Sequence, residues 1–174
     1  MNPKVLRITE TAVMTALLVA LQAVTRPAGQ LVTGSCVNAV LALTTLLSGL
    51  WSGAAVALVS PFFAFLLGIG PQAPPIIPAI AAGNVVFVAL LHAIPWRKGA
   101  PLERRIAAWA VPALGKFAAL YLIVVQVLCR IVPLKQPQID TFSAMFSWPQ
   151  LVTALVGGGI ALLLAPVLRR ALKR

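Results

Sequence analysis

The sequence predicts an all-α integral membrane protein: a single domain spanning residues 1–174, with six transmembrane helices and both termini cytoplasmic. Three observations carry that expectation. Hydrophobic residues make up 60% of the chain and charged residues only 10%, with a mean hydropathy of +0.98. A soluble domain carries about a quarter charged residues, so this chain has too little polar surface to cover a globule in water. Long apolar runs recur, and at roughly 20 residues per span six of them fit with short loops. Finally, the net charge of +11 comes from basic clusters lying between the apolar runs. That arrangement reads as membrane topology rather than as a nucleic-acid surface, and no nucleic-acid partner is expected.

The first span is expected from Ile8 to Val24, after Lys4 and Arg7, and the second from Ser35 to Leu47. A soft break from Ser48 to Gly53 leads to the third, Ala54 to Leu67, with Pro61 inside it. The run from Gly68 to Pro75 cannot continue a helix, because proline lacks the amide donor and clashes with the preceding turn. The fourth span follows from Ile77 to Ile94, and a charged loop from Pro95 to Arg105 precedes the fifth, Ile106 to Cys129. Polar, proline-bearing sequence from Arg130 to Trp148 then reaches the sixth, Leu151 to Leu168. The basic start and small residues near Ala20 and Ala23 resemble a secretory signal, but Glu10 and the lack of a clean small-x-small site favour retention.

Orientation follows from lysine and arginine. Lys4 and Arg7, the cluster Arg97, Lys98, Arg104 and Arg105, and the tail residues Arg169, Arg170, Lys173 and Arg174 fall on one side. Only Arg26, Arg130 and Lys135 fall on the other. The richer side is cytoplasmic by the positive-inside rule.

Polar groups at membrane depth are few. Glu10, Glu103 and Asp140 all lie at span ends or in loops, which disfavours a carboxylate proton relay. His92 stands without a neighbouring acid or cysteine, and Cys36 and Cys129 form no metal pattern, so no metal, cofactor or catalytic residue is expected. Lys116 lies well inside span five with no acid at its depth. Either it faces a cavity and meets an anionic ligand group such as a carboxylate, or its stem snorkels to the inner headgroups. Asn84 in span four offers donor and acceptor to a ligand or to a neighbouring helix, and Asn38 shares that ambiguity. At 100° per residue, Tyr121 and Gln126 do not share a narrow stripe with Lys116. Arg26, Gln30, Gln72, Trp148 and Gln150 flank the outer mouth, although tryptophan is also common at membrane interfaces. Ala12, Ala16 and Ala20 form a small-residue stripe on span one, and Gly157 to Gly159 make a second small-residue patch on span six.

With these features in place, the chain resembles the substrate-binding S components of energy-coupling-factor transporters, the bacterial and archaeal vitamin importers. The resemblance covers nearly the whole chain. It rests on size, six spans, the alanine stripe, the block GSCVNAVLALTTLLSGLWSGAAVALVSPFFAFLLGIGP from Gly34 to Pro71, and the IPAIAAGN that ends in Asn84. It implies a multi-pass protein of the cytoplasmic membrane, without catalytic activity, that captures a micronutrient at its outer face. It further implies a membrane T component and two cytoplasmic ATPases as partners. By the same resemblance Ala12, Ala16 and Ala20 dock the T component, and Asn84, Lys116, Tyr121, Gln126, Gln72 and Trp148 are candidates for the pocket. No substrate-specific motif is present. Two other readings remain in view. An independent transporter or channel is expected to show an internal repeat or an ionisable track, and a small membrane enzyme or assembly factor needs intramembrane acids or histidines.

Overall fold

The computed structural model describes residues 3–94 and 99–172, and these residues are helical without any strand. The basic residues Arg97, Lys98, Lys173 and Arg174 counted above lie outside the described residues, as does part of the loop from Pro95 to Arg105. Helix α1 covers Pro3–Thr25, α2 Gln30–Ser48, α3 Leu50–Leu66, α4 Ile76–Ala93 and α5 Leu102–Leu120. The α5 rod continues through a π-helical stretch, Tyr121–Leu128, and a last turn α6, Cys129–Ile131. Helix α7 is Gln136–Met145, and α8 is Trp148–Ala171.

Five helical stretches, 4–28, 30–48, 76–93, 102–131 and 136–171, are long and apolar enough to cross a membrane. Helix α3 is apolar too, but its 17 residues rise only about 26 Å against a hydrocarbon core of about 30 Å. The protein is an all-α membrane protein.

Its framework follows from burial. Helix α2 is buried on every side from Asn38 to Thr45, because α1, α3, α4 and α8 all pack on it. A helix surrounded in this way has no polar face to spare, which is why its hydroxyls Thr44 and Thr45 bond back to the carbonyls of Val40 and Leu41. Close approach of α8 to α2 requires Gly157. A Cβ there would meet Asn38 Cβ at 2.6 Å and Ala39 N at 2.7 Å. The other two glycines of that triplet have ordinary room.

Several boundaries differ from the sequence expectation. Helix α2 begins at Gln30 rather than Ser35, and the break before α3 shrinks to the single residue Gly49, whose φ of +89° suits glycine. The stretch between Arg130 and Trp148 is not simply polar loop. Helix α7 forms within it because Gln138 Oε1 accepts the Lys135 amide and Phe142 turns inward, buried. The fifth span widens into π geometry after Leu120, so the 100° spacing applied to Tyr121 and Gln126 fails there. Cys36 and Cys129 are both free.

Two apolar clusters fill the bundle. The larger joins α1 through Leu18, α2 through Val40 to Leu43, α4 through Phe87 and Val88, and α8 through Ala154 and Ala161. The smaller gathers Ile76, Leu120, Val124, Phe142 and Phe146 at the end of the bundle remote from the chain termini.

Candidate substrate-binding site

A cavity of about 250 Å³ opens where the two clusters meet. It sits among the end of α1, the start of α2, the end of α3, the start of α4 and the α7–α8 junction, with Lys116 of α5 reaching in. These ends coincide because α1 to α4 alternate in direction, so the cavity faces away from the chain termini.

Each wall has a local cause. After α3, the Gly68 amide bonds Phe65 O and the Ile69 amide reaches Ala64 O at 2.8 Å. With Gly68 at φ +67° this is a Schellman stop. It turns Ile69, Gly70 and Pro71 onto the cavity. Between α1 and α2, the Thr33 hydroxyl donates to Thr25 O at 2.9 Å, while Thr25 Oγ1, 3.1 Å from Thr33 Oγ1, donates to Leu21 O at 2.6 Å. That pair clamps the short turn carrying Arg26, which lines the cavity. Two amides hold the far wall: Gln30 Nε2 and Gln150 Nε2 both donate to Met145 O, at 2.6 and 3.1 Å. Phe146, the next residue, then closes onto the cavity and is only 2% exposed.

The centre of the site is Lys116. Its Nζ donates to Asn38 Oδ1 at 2.6 Å and to Asn84 Oδ1 at 2.7 Å, and lies 5.8 Å from the centroid of the Phe87 ring. The side chain is 3% exposed, so it does not snorkel. Asn38 is itself held, its Nδ2 donating to Thr153 Oγ1 at 3.3 Å, and Thr153 in turn donates to Gln150 O at 3.2 Å. Helices α2, α4 and α5 thus meet at one amine, with α8 behind Asn38. An ammonium carries three donors; these two bonds use two of them, and the residue also lines the cavity. Among the described residues no acidic side chain lines that cavity, whereas Lys116 and Arg26 both do. Two lining residues, Gln22 and Ser60, each bury an oxygen, Oε1 and Oγ, that has no hydrogen-bond partner among the described residues.

Of the sequence candidates, the structure brings Asn84 and Lys116 together on this cavity, joined by Asn38, Arg26, Gln30 and Gln150. Tyr121, Gln126, Gln72 and Trp148 lie outside its lining. Tyr121 packs on Phe117 at 5.9 Å between ring centroids. Gln126 accepts from Arg130 at 2.5 Å, and Gln72 donates to Gly70 O. Trp148 is 62% exposed. Ala12, Ala16 and Ala20 are exposed on the face of α1 opposite the buried Leu18 and Gln22. Sequence reasoning passed over Gln22 and Ser60. The signal for Gln22 was an amide inside an apolar span; Ser60, a small hydroxyl before Pro61, gave none.

No match is found among curated proteins or among solved structures. A family model does match, and it covers residues 7–169, nearly the whole chain. The cavity, the bundle and that match agree: the chain belongs to the ECF transporter substrate-specific components.

Proposed function

We propose that this S component captures a small, carboxylate-bearing micronutrient of the vitamin class at its outer face. It then delivers the ligand inward together with a membrane T component and two cytoplasmic ATPases. Members of the family bind small molecules and work with a T component and ATPases; the ligand chemistry and the choreography are the proposal. The observation that carries it is Lys116, an amine buried in apolar surroundings, lining the cavity and satisfied only by two neutral carbonyls. A cation taken out of water is costly unless an anion or several dipoles replace its hydration. An incoming carboxylate supplies the missing charge, and Arg26 at the rim draws it in.

On this reading α3 crosses the bilayer as a sixth span, since the apolar helices α2 and α4 on either side of it both cross. The described basic residues Lys4, Arg7, Arg104, Arg105, Arg169 and Arg170 then lie in the cytoplasm. The cavity faces outward, in the cytoplasmic membrane of a bacterium or archaeon. Ala12, Ala16 and Ala20 offer a smooth strip of α1 on which a T component seats closely, where packing rather than water drives association. No nucleotide-binding loop is present in the sequence, so the energy for uptake against a gradient comes from the partners.

Native mass spectrometry of the purified chain tests the capture role by identifying the retained molecule. A carboxylate that is retained by the wild type and lost from Lys116→Met is the expected result. Retention of the same acid by Lys116→Met at wild-type occupancy overturns the assignment of Lys116.

A further inference from the structure

Two features of the cavity are not explained by an anion at Lys116. Gln22 on α1 and Ser60 on α3 both line it and are more than nine-tenths buried at 8% and 1% exposure, and the buried oxygens Gln22 Oε1 and Ser60 Oγ have no partner among the described residues. Other hydroxyls in this chain behave differently. Ser35, Thr44 and Thr45 each donate to the carbonyl one helical turn back, at 2.7, 2.7 and 2.8 Å, whereas the Ser60 hydroxyl makes no such bond. Buried polar atoms in folded proteins are nearly always paired, and a pair of exceptions on one cavity wall marks positions that a bound molecule completes.

Resting on the reading of the cavity as the capture site, we infer that its ligand is a compact acid that also carries an N–H or O–H donor. Gln22 and Ser60 hold the donor while the anion meets Lys116. The chemistry at the two sites differs in sign. Lys116 and Arg26 present donors and positive charge, so they take the anionic group. Gln22 Oε1 is an unpaired acceptor, so it takes a hydrogen from the ligand. A simple fatty acid or keto acid completes Lys116 but leaves Gln22 Oε1 unpaired in an apolar wall. An amide-bearing or hydroxyl-bearing acid completes both. The cavity volume of about 250 Å³ falls below the roughly 300–1,000 Å³ of drug-sized sites, which limits the ligand to a small molecule.

The probe is N-butyrylglycine, compared with the keto acid of the same shape in which a methylene replaces the amide N–H, and with the N-butyrylglycine methyl ester. Binding is followed by calorimetry on the full chain in lipid nanodiscs. The amide acid is expected to bind wild type about tenfold more tightly than the keto acid, the worth of one net hydrogen bond. Gln22→Leu is expected to abolish that preference by weakening the amide acid alone. Because the ligand comparison on unaltered protein needs no substitution, poor folding of Gln22→Leu does not decide the outcome. Equal affinity of the two acids for wild type overturns the inference and leaves the role of Lys116 standing. Ester binding equal to acid binding overturns the carboxylate reading instead. Failure of both acids to bind at about 10 mM overturns both.

Discussion

Replacing Asn84 with leucine tests the arrangement around Lys116 most directly. In the wild type the Lys116 amine is shared between Asn84 Oδ1 at 2.7 Å and Asn38 Oδ1 at 2.6 Å, with all three side chains at most 3% exposed. Leucine has the same branched skeleton of four side-chain heavy atoms as asparagine, so the substitution removes the acceptor without opening a cavity. A hydrogen bond to a charged group contributes about 1.5–3 kcal/mol. For a chain of this size that corresponds to a loss of roughly 3–12 °C in Tm. The single variant alone does not separate lost hydrogen bonding from altered packing. In a Lys116→Met background no amine remains to be solvated, so Asn84→Leu is expected to cost close to nothing there. The difference between the two backgrounds, about 1.5–3 kcal/mol, is the coupling energy. Thermal or denaturant unfolding of the four proteins in one detergent measures it. Additive effects would refute the argument, because they would mean that the contact contributes nothing to holding the amine at this depth.

Further outcomes are expected at the packing faces. Gly157→Ala brings a Cβ to 2.6 Å from Asn38 Cβ, so α8 must withdraw from α2 at a cost of about 1–3 kcal/mol. In contrast, Gly158→Ala meets Phe87 at an ordinary 3.7 Å and is expected to be neutral or to stabilise by up to about 1 kcal/mol through helix propensity; paired unfolding curves check both signs. Ala16→Trp, on the exposed stripe of α1, is expected to stop copurification with the T component and ATPases while leaving ligand affinity of the isolated chain unchanged.

The bundle was legible because apolar length is written directly in composition, and the five longest helices coincide with expected spans. Boundaries were less legible where a special backbone decides them. A single glycine at φ +89° does the work that the sequence assigned to a six-residue break. Helix α7 was hidden because its apolar side chains are few and its polar ones many, so that Phe142 and Phe146 reveal their role only when α4 and the π-helical stretch pack on them. At the candidate site, Lys116 and Asn84 stood out in the sequence by their cost, since polar groups at membrane depth demand partners. Their pairing with each other was not readable, because it depends on how α2, α4 and α5 are rotated. Tyr121 and Gln126 were judged with an α-helical period that stops at Leu120. Gln22 escaped notice in a span otherwise judged by its alanines, whose opposite face it occupies.

That placement ties capture to docking on the proposed reading. Helix α1 carries Gln22 toward the cavity and Ala12, Ala16 and Ala20 toward the outside. A rigid helix moves both faces together, so any shift of α1 on a docked T component would carry the Gln22 oxygen with it. The amine of Lys116, held by three helices that the stripe does not include, keeps its place. An anion paired with a cation in a low-dielectric cavity is bound strongly, which serves capture from dilute solution but opposes release. Losing the Gln22 contact removes about tenfold of that affinity, too little by itself to empty the site. The remainder must come from opening the cavity to water, where Lys116 and the ligand are each solvated again. On the proposed reading, tight capture and partner-driven opening are therefore two requirements of the same buried charge.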